Sequence, residues 1–390
     1  MRPQKAGFSR NSVSRDFRRK AACHRRPPVA RLKWRIAPKM FRMSQPVSDA
    51  RADGAFDAVV RPDSVVRPVP DADAWRLCVA PMIDVTDRHC RYFHRLLSPH
   101  ARLYTEMITT GALLHGDVGR HLDFDPAEHP VALQLGGSEP DALAQSARLG
   151  ERWGYDEINL NCGCPSERVQ RGAFGACLMA EPHLVADCVR AMQDAVSVPV
   201  TVKHRLGLDY DESYDFVRDF VGVLHDAGCR VFIVHARNAV LKGLSPKDNR
   251  EKPPLRYAEA LRLKQDFPDA RFVLNGGLDD VETCLDWMQR MDGVMLGRAA
   301  WHHPDILADL SQRMAPDLAL PDPGEILDAW IAYVESRHAD GVPLHIMMRG
   351  VLGWRTGRPG ARQWRRMLSD PKLLRAEGPQ ILRRAWAALV

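Results

Sequence analysis

The sequence predicts an α/β protein in which a TIM (β/α)8 barrel is followed by a small helical domain. From Trp75 to about Ala315, eight short apolar segments alternate with helix-length amphipathic segments. Polar or charged residues close many of the apolar segments. Eight repeated strand–helix units are typical of a barrel of parallel strands, which are buried on both sides. The barrel is therefore predicted to span residues 73–315.

The predicted strands are short runs of apolar residues that charged or turn-forming residues bound. A doubly wound sheet could hold such strands too, but no G-x-G-x-x-G motif follows the first of them. In chain order the predicted strands are Arg76–Val79, Arg102–Glu106, Val131–Leu135, Asp156–Leu160, Val200–Lys203, Val231–His235, Arg271–Leu274 and Gly293–Leu296.

Amphipathic segments fill the intervals between these strands. Their apolar residues recur at spacings of three and four, which is the period of a helix with one buried face. Such helices are predicted at Asp141–Arg152, Leu184–Ala195, Tyr214–Ala227, Ala258–Asp266 and Val281–Arg290.

After Ala315 the strand pattern stops, and Pro321-Asp322-Pro323-Gly324 is typical of a linker. We expect residues 316–390 to form a small domain made of helices alone. The predicted helices are Glu325–His338, Leu344–Gly353, Ala361–Leu368 and Pro379–Leu389.

Residues 1–72 contain Arg-rich, Pro-rich and Asp/Ala-rich stretches with little helical or strand period, which predicts a disordered basic extension. The first 40 residues are rich in Arg and nearly free of acidic residues, as in a transit peptide. The alternative that we favour is a true start at Met40 or Met43, with the preceding residues a misassigned extension.

Basic residues are concentrated near the carboxyl terminus. From residue 341 onward there are nine Arg and one Lys but only Asp370 and Glu377 to balance them. A localised basic surface of this kind favours contact with a polyanion, although a solvated helical face would have the same composition.

Composition excludes several other classes of protein. No run of about 18 apolar residues occurs, which argues against a transmembrane helix. The nine cysteines lack the dense spacing of a small secreted scaffold, so a reducing cytoplasm fits best. Cys162-x-Cys164 has no partner pair at zinc spacing, and no metal site is predicted.

The segment from Asn159 to Ser166, Asn-Leu-Asn-Cys-Gly-Cys-Pro-Ser, carries the strongest chemical signal. It ends an apolar strand by placing Cys164 on a turn, where a barrel presents its catalytic groups. An ordinary thiol is mostly protonated near neutral pH, so it can act as an acid, or as a nucleophile if a base lies beside it. A small apolar residue in a loop is the alternative for any single cysteine.

The carboxyl ends of the predicted strands gather further polar residues. Gly276 and Gly277 after the seventh strand, and Gly297-Arg298 after the eighth, would offer free backbone N–H groups and a guanidinium to a phosphate. Lys203 and His235 could add hydrogen bonds to the same ligand, and Pro81-Met82 a flat apolar support. A phosphorylated cofactor is therefore predicted at this end of the barrel.

These residues together resemble the tRNA-dihydrouridine synthase family, and in particular its A-type branch. The resemblance runs from about Leu77 to Ala308 and resumes more weakly from Pro359. The motifs that carry it are Ala80-Pro81-Met82 with Thr86-Asp87-Arg88, Tyr104-Thr105-Glu106-Met107, Ala132-Leu133-Gln134-Leu135-Gly136-Gly137, Asn159 to Ser166, His235-Ala236-Arg237, Ser245-Pro246-Lys247 with Asn249-Arg250-Glu251, and Asn275-Gly276-Gly277.

The resemblance implies an FMN-containing barrel that uses NADPH to reduce uridine at positions 20 and 20a in the D-loop of tRNA. Reduced flavin would deliver hydride to C6 of the base, and Cys164 would protonate C5 as the catalytic acid. The chain would act as a monomer, with no protein partner and no membrane. By motif match the FMN-binding residues would be Pro81, Met82, Ile83, Gln134, Lys203, His235, Asn275, Gly276, Gly277, Gly297 and Arg298, and the tRNA-binding residues Asn161, Lys247, Arg250, Arg362 and Arg365.

Two other functions remain possible on the sequence. One is a flavin-dependent reductase of small molecules or free pyrimidines, for which a basic helical domain would have no use. The other is an RNA-binding protein that keeps the barrel without catalysis.

Overall fold

The computed structural model describes residues 73–209 and 211–389, apart from the side chains of residues 168 and 171. Within them eight parallel strands close into a barrel, each pairing with its sequence neighbours and the first with the last. The predicted (β/α)8 barrel is confirmed and the doubly wound alternative is wrong. The strands are β1 (Leu77–Val79), β2 (Arg102–Thr109), β3 (Val131–Gly136), β4 (Glu157–Cys162), β5 (Val200–Arg205), β6 (Val231–His235), β7 (Arg271–Asn275) and β8 (Gly293–Leu296).

Helices connect the strands and make up the carboxyl-terminal part. The described residues hold α1 (Arg88–Leu97), α2 (Thr110–His115), α3 (Val118–Leu122), α4 (Pro140–Arg152), α5 (Glu167–Arg171), α6 (Pro182–Ala195), α7 (Tyr214–Asp226), α8 (Tyr257–Asp266), α9 (Val281–Arg290), α10 (Arg298–His302), α11 (Asp305–Met314), α12 (Pro323–Ala339), α13 (Leu344–Met348), α14 (Ala361–Ser369), α15 (Pro371–Glu377) and α16 (Ile381–Trp386). Short 3₁₀ turns lie at Pro126–Glu128, Gly175–Ala180, Asp248–Arg250, Arg349–Val351 and Gly378–Gln380. None of the described helices is long and apolar enough to cross a membrane.

Several helices begin where a side chain caps the first turn. Ser213 accepts a hydrogen bond from the backbone N–H of Phe216, and Asp280 accepts one from Thr283. Such caps satisfy N–H groups that no carbonyl of the helix can reach. They account for the starts of α7 and α9, where the predicted first residues are confirmed.

β4 is longer than the sequence predicts. The turn formers after Leu160 suggest an end there, but the strand continues through Cys162. Asn161 pairs with Lys203 and Cys162 with His204 of β5, which is itself longer than predicted. Hydrogen bonding to a neighbouring strand thus overrides the local turn preference.

The predicted helices at the carboxyl terminus need three corrections. α13 ends at Met348 and passes into a 3₁₀ turn instead of continuing to Gly353. α15 is not predicted, and α16 begins at Ile381 instead of Pro379. The predicted extension of residues 1–72 lies outside the described residues, and the boundary at residue 315 stays a prediction.

The barrel interior has an apolar side and a polar side. Apolar side chains from β1, β2, β3, β6, β7 and β8 pack together in one cluster that includes Trp75 and Tyr104. Five other interior side chains of β3, β4 and β5 are polar, and they are buried and hydrogen-bonded to one another: Gln134, Glu157, Asn159, Asn161 and Thr201.

The carboxyl-terminal helices pack on α1 through aromatic rings. Phe93 meets Trp330 of α12 and Trp354 edge-on, with 5.3 Å between ring centroids in both pairs. Tyr92 stacks on Tyr333 at a centroid distance of 3.9 Å. Aromatic pairs of this geometry stabilise a contact beyond their buried area, so the basic helices are held firmly against the barrel.

Candidate active site

A cavity of about 810 Å³ opens at the carboxyl ends of the strands, where barrels hold their active sites. One wall comes from the carboxyl-terminal region, through Leu352, Gly353 and Thr356 of the turns before α14 and Arg365 of α14. Most residues predicted for the site lie around this one cavity. They are Pro81, Met82, Lys203, His235, Arg250, Asn275, Gly276, Gly277, Gly297, Arg298 and Arg365.

The other predicted residues, Cys164 among them, are not part of the cavity lining. Ile83 is 52% exposed beside it. Gln134 and Asn161 are buried, and the Asn161 amide donates to Gln134 Oε1 over 2.9 Å. Lys247 and Arg362 are exposed. The roles assigned to these residues stay predictions.

Positive charge is concentrated at the mouth. Burial, and then the neighbouring charge of Arg205, lower the pKa of Lys203 to about 7. Burial and the charges of Arg205 and Lys203 also hold the pKa of His235 well below its ordinary value. Both shifts arise because cations are desolvated and face like charges. An anion bound among them would relieve this cost, so the cluster is suited to hold one.

Asn275 at the end of β7 orients the amine of Lys203. Lys203 Nζ donates to Asn275 Oδ1 over 2.9 Å, and Asn275 Nδ2 donates to the carbonyl of Met295 over 2.7 Å. Because the second bond fixes the carboxamide, its oxygen must face the lysine.

The two glycines after β7 form a tight corner. Gly276 and Gly277 have φ angles of +108° and +67°, a region that L side chains rarely adopt. A Cβ on Gly276 would lie 2.7 Å from His235 Cδ2, and one on Gly277 would lie 2.5 Å from Leu255 Cδ1. The corner therefore requires glycine at both positions. The phosphate-binding role assigned to it stays a prediction.

Arg298 has an acidic partner that the sequence does not predict. Its guanidinium lies 2.5 Å from Glu251 Oε1, and the two side chains are 46% and 41% exposed. A bound anion would have to share Arg298 with this carboxylate. Glu251 follows the predicted Arg250 directly, but only the fold of the loop brings it to Arg298.

Cys164 lies on the turn after β4 and is half-buried. The backbone N–H groups of Gly163 and Cys164 both donate to Asn161 Oδ1, over 3.1 and 3.0 Å. Gly175, with a φ of +79°, packs so closely on this turn that a Cβ would lie 2.6 Å from the carbonyl oxygen of Cys164. The catalytic cysteine predicted from sequence is thus held by its backbone on two sides.

Arg205 links this turn to the loops that follow β6, a role not predicted from the sequence. Its Nε donates to the carbonyl of Gly163 over 3.1 Å, and its guanidinium donates to the carbonyls of Asn238 and Asn249 over 3.0 Å each. Arg205 lies two residues after Lys203, and so on the same face of β5. That position could have indicated its role at the site. Its carbonyl partners come together only in the fold.

The described residues contain no group of three or more His, Cys, Asp or Glu side chains arranged to hold a metal ion.

The fold and this site define a (β/α)8-barrel protein with a cationic ligand cavity and a cysteine turn at its mouth. Residues 78–386 match the family described as dihydrouridine synthase (Dus), and the chain belongs to this family.

Several curated relatives cover most of both chains. A tRNA-dihydrouridine(20/20a) synthase of Pseudomonas syringae pv. tomato is 54% identical over 308 residues, which are 79% of this chain and 91% of that protein. The synthase of the same name from Pseudomonas aeruginosa is 56% identical over 301 residues, covering 77% and 91%. One from Synechocystis sp. is 52% identical over 313 residues, covering 80% and 94%.

These relatives confirm the resemblance to the family and to its A-type branch. The prediction that the chain is an enzyme that reduces uridine to dihydrouridine in tRNA is confirmed with it. The two other functions, a small-molecule reductase and a non-catalytic RNA-binding barrel, are correspondingly disfavoured.

Proposed function

We propose that this enzyme reduces uridine at positions 20 and 20a of the tRNA D-loop with FMN in the barrel mouth, NADPH as electron donor and Cys164 as proton donor. The observation that carries the proposal is the single cavity that joins the cationic strand ends to Arg365 of the basic helices. A small ligand and a bound polyanion can therefore meet there. Because tRNA is the substrate, we also propose a cytoplasmic location, and a monomer as the active form.

The residues around the cavity fit FMN. Gly276 and Gly277 line the cavity without side chains, and Lys203 and His235 are buried groups whose lowered pKa values an anion would raise again. Pro81 and Met82 offer an apolar surface at the same cavity. When bound and reduced, FMN supplies the hydride that is added at C6 of the uracil.

Cys164 is suited to supply the proton that is added at C5. Its thiol lies 3.5 Å from the hydroxyl of Ser166, and it interacts electrostatically with Lys203 and Arg205. A thiol is a competent general acid, and transfer of its proton to C5 would leave the sulfur beside these two basic side chains.

The basic residues are suited to bring the uridine to this cavity. A base that is stacked inside the folded tRNA cannot reach the barrel mouth, so it must leave its stack at a cost of a few kcal/mol. Phosphate contacts offset that cost. Arg250 and Arg365 line the cavity, while Lys247 and Arg362 are exposed to meet a larger ligand.

The role of Cys164 is tested with Cys164→Ala. The variant should bind FMN and tRNA as before but form dihydrouridine about 10²- to 10⁴-fold more slowly, as is usual when a general acid is lost. Single-turnover assays with flavin-reduced enzyme and tRNA measure the rate. Cys177→Ala is the matched control, because Cys177 is a half-buried thiol in the following 3₁₀ turn.

Full activity of Cys164→Ala would remove the thiol from the mechanism. A purified protein that stays colourless after incubation with FMN would contradict the choice of cofactor.

The role of the basic helices is tested with Arg362→Ala. Loss of one phosphate contact should weaken tRNA binding. It should also make the negative slope of log K against log [salt] shallower by about 1. Arg383→Ala is the control, because Arg383 is paired with Asp328 at 2.8 Å. A slope that changes only in the control would place the tRNA on another surface.

A further inference from the structure

The polar side of the barrel interior contains a continuous chain of hydrogen bonds. It begins at Glu157, at the amino-terminal end of β4. Thr201 Oγ1 donates to Glu157 Oε1 over 2.5 Å, and Asn159 Nδ2 donates to Thr201 Oγ1 over 2.8 Å. The chain thus starts at the foot of the barrel, opposite the cavity.

The chain continues upward to the cysteine turn. Gln134 Nε2 donates to Asn159 Oδ1 over 2.7 Å, and Asn161 Nδ2 donates to Gln134 Oε1 over 2.9 Å. Asn161 Oδ1 then accepts the backbone N–H groups of Gly163 and Cys164. One path therefore joins a carboxylate at the foot to the turn at the mouth.

Glu157 can only accept hydrogen bonds in this arrangement. Trp75 Nε1 donates to its Oε2 over 2.7 Å, and Tyr104 donates to its Oε1 over 2.8 Å. The guanidinium of Arg102 lies 3.2 Å from Oε2. Tryptophan and arginine side chains have donors alone, so Oε2 can only act as an acceptor toward both of them. The foot of the chain is thus fixed as an acceptor.

This fixed end determines the direction of every later bond. Thr201 has one hydroxyl hydrogen and uses it on Glu157, so it can only accept from Asn159. Asn159 must then turn its oxygen to Gln134, and Gln134 its oxygen to Asn161. At the other end, backbone N–H groups can only donate, so they too need the oxygen of Asn161. The carboxylate at one end and the backbone N–H groups at the other therefore require the same orientation of the three carboxamides between them.

Reversing any one carboxamide would place donor against donor and acceptor against acceptor. All five side chains in this series of hydrogen bonds are at most 8% exposed: Gln134, Glu157, Asn159, Asn161 and Thr201. Because water cannot replace a lost partner at such sites, an unsatisfied group carries its full desolvation cost. The orientation at the mouth is therefore coupled to the foot of the barrel.

We propose that Glu157, Thr201 and Asn159 are positioning residues that set the carboxamide orientation of Gln134 and Asn161 and, through Asn161, the position of the Cys164 turn. Their effect on uridine reduction rests on the proposed role of Cys164. Their effect on the turn itself does not, since it follows from the hydrogen bonds alone.

The test is Thr201→Val, which keeps the shape of the side chain and removes both hydrogen bonds of its hydroxyl group. We expect dihydrouridine formation by the FMN-loaded enzyme to fall by about 10- to 100-fold, as for a reacting group displaced by up to 1 Å. Alkylation of Cys164 by iodoacetamide, followed by mass spectrometry of its peptide, should become several-fold faster because the turn loses its support. Thr201→Ser should restore both values.

Ser311→Ala is the matched control. Ser311 is buried, and its hydroxyl bonds to that of Ser98 over 2.6 Å, outside the barrel interior. The Ser311→Ala variant should lower the midpoint of urea unfolding much as Thr201→Val does. The rates of dihydrouridine formation and of Cys164 alkylation should stay unchanged.

Three results would overturn the proposal. These are a Thr201→Val variant with unchanged rate and alkylation, a Thr201→Ser variant as impaired as Thr201→Val, and a Ser311→Ala variant with the same losses. Failure of the proposed function is separable, because an enzyme that forms no dihydrouridine still reports the turn through alkylation of Cys164.

Discussion

Two buried arginines at opposite ends of the barrel have pKa values shifted in opposite directions. At the foot, burial disfavours the charge of Arg102, but the neighbouring acidic groups, Glu157 foremost, together outweigh burial and raise the pKa above its ordinary value. At the mouth, burial lowers the pKa of Arg205 to about 10, and Arg250 and Arg237 lower it against the opposing effect of Cys164. Within the described residues, Arg102 faces the carboxylate of Glu157, whereas Arg205 donates to backbone carbonyls alone.

The difference separates stability from binding. At the foot, the carboxylate of Glu157 accepts from Trp75, Tyr104 and Thr201 and pairs with Arg102, so the polar groups hold the barrel together. At the mouth, like charges are kept close at a cost in stability that only a ligand can offset. This division agrees with the general pattern of barrels, in which the amino-terminal face serves stability and the carboxyl-terminal face serves chemistry.

The largest expected effect is that of Glu157→Leu at the foot. The change would leave Arg102 and Tyr104 without their buried acceptor and should lower the free energy of unfolding by about 3–5 kcal/mol. Urea unfolding of the flavin-free protein measures it. Glu282→Leu removes an exposed ion pair with Arg313 and should leave stability nearly unchanged. Equal stability of the two variants would contradict the contrast between foot and mouth.

Lys203→Met at the mouth should act on binding instead. Loss of a charged hydrogen bond should weaken FMN binding by about 1.5–3 kcal/mol, while stability without flavin stays the same or rises because a desolvated amine is gone. Flavin fluorescence titration and urea unfolding measure the two effects. Lys264→Met is the control. Lys264 Nζ lies 3.1 Å from Asp292 Oδ1, and Lys264 does not line the cavity. A large loss of stability with unchanged flavin affinity would refute the expectation.

The pH dependence of stability gives a second measurement on Lys203→Met. The pKa of Lys203 is about 7 in the folded protein against an ordinary 10.5, so between these values the unfolded chain binds the extra proton. Stability of the flavin-free protein should therefore rise with pH across this window, by at most about 1.4 kcal/mol per unit from this group. Below pH 7 both states are protonated and the contribution is constant. The variant should lack this rise.

A small effect on stability is expected from Glu251→Gln. The ion pair with Arg298 is nearly half exposed, so its loss should change the free energy of unfolding by less than about 1 kcal/mol. Because Arg298 is then released for an anion, FMN should bind more tightly at low salt. Weaker binding in this variant would show that Glu251 positions Arg298 for the ligand.

The strands and the glycine corner could be predicted from the sequence because their signals are local. Val231–His235 and Gly293–Leu296 are confirmed at both ends, since a buried parallel strand shows as a continuous apolar run between polar residues. Gly276 and Gly277 were recognisable because adjacent glycines after a strand indicate a backbone that only glycine can adopt.

The partners of charged side chains could not be predicted in the same way. Glu251 lies 47 residues from Arg298, and the carbonyl of Asn249 lies 44 residues from Arg205. Hydrogen bonds at such separations depend on where loops return, for which the sequence has no periodic signal. Glu157 was predicted only as part of a strand, although it is the acceptor on which the polar interior depends.

The apolar period and the order of the motifs are properties of the chain, so they were enough to predict the eight-stranded barrel, the family and the residues at the strand ends. The partners of the buried cations, the orientation of the buried carboxamides and the contacts that hold the turn of Cys164 are visible only in the folded protein. Those properties depend on the direction and distance of side chains from different strands, which the closing of the barrel sets.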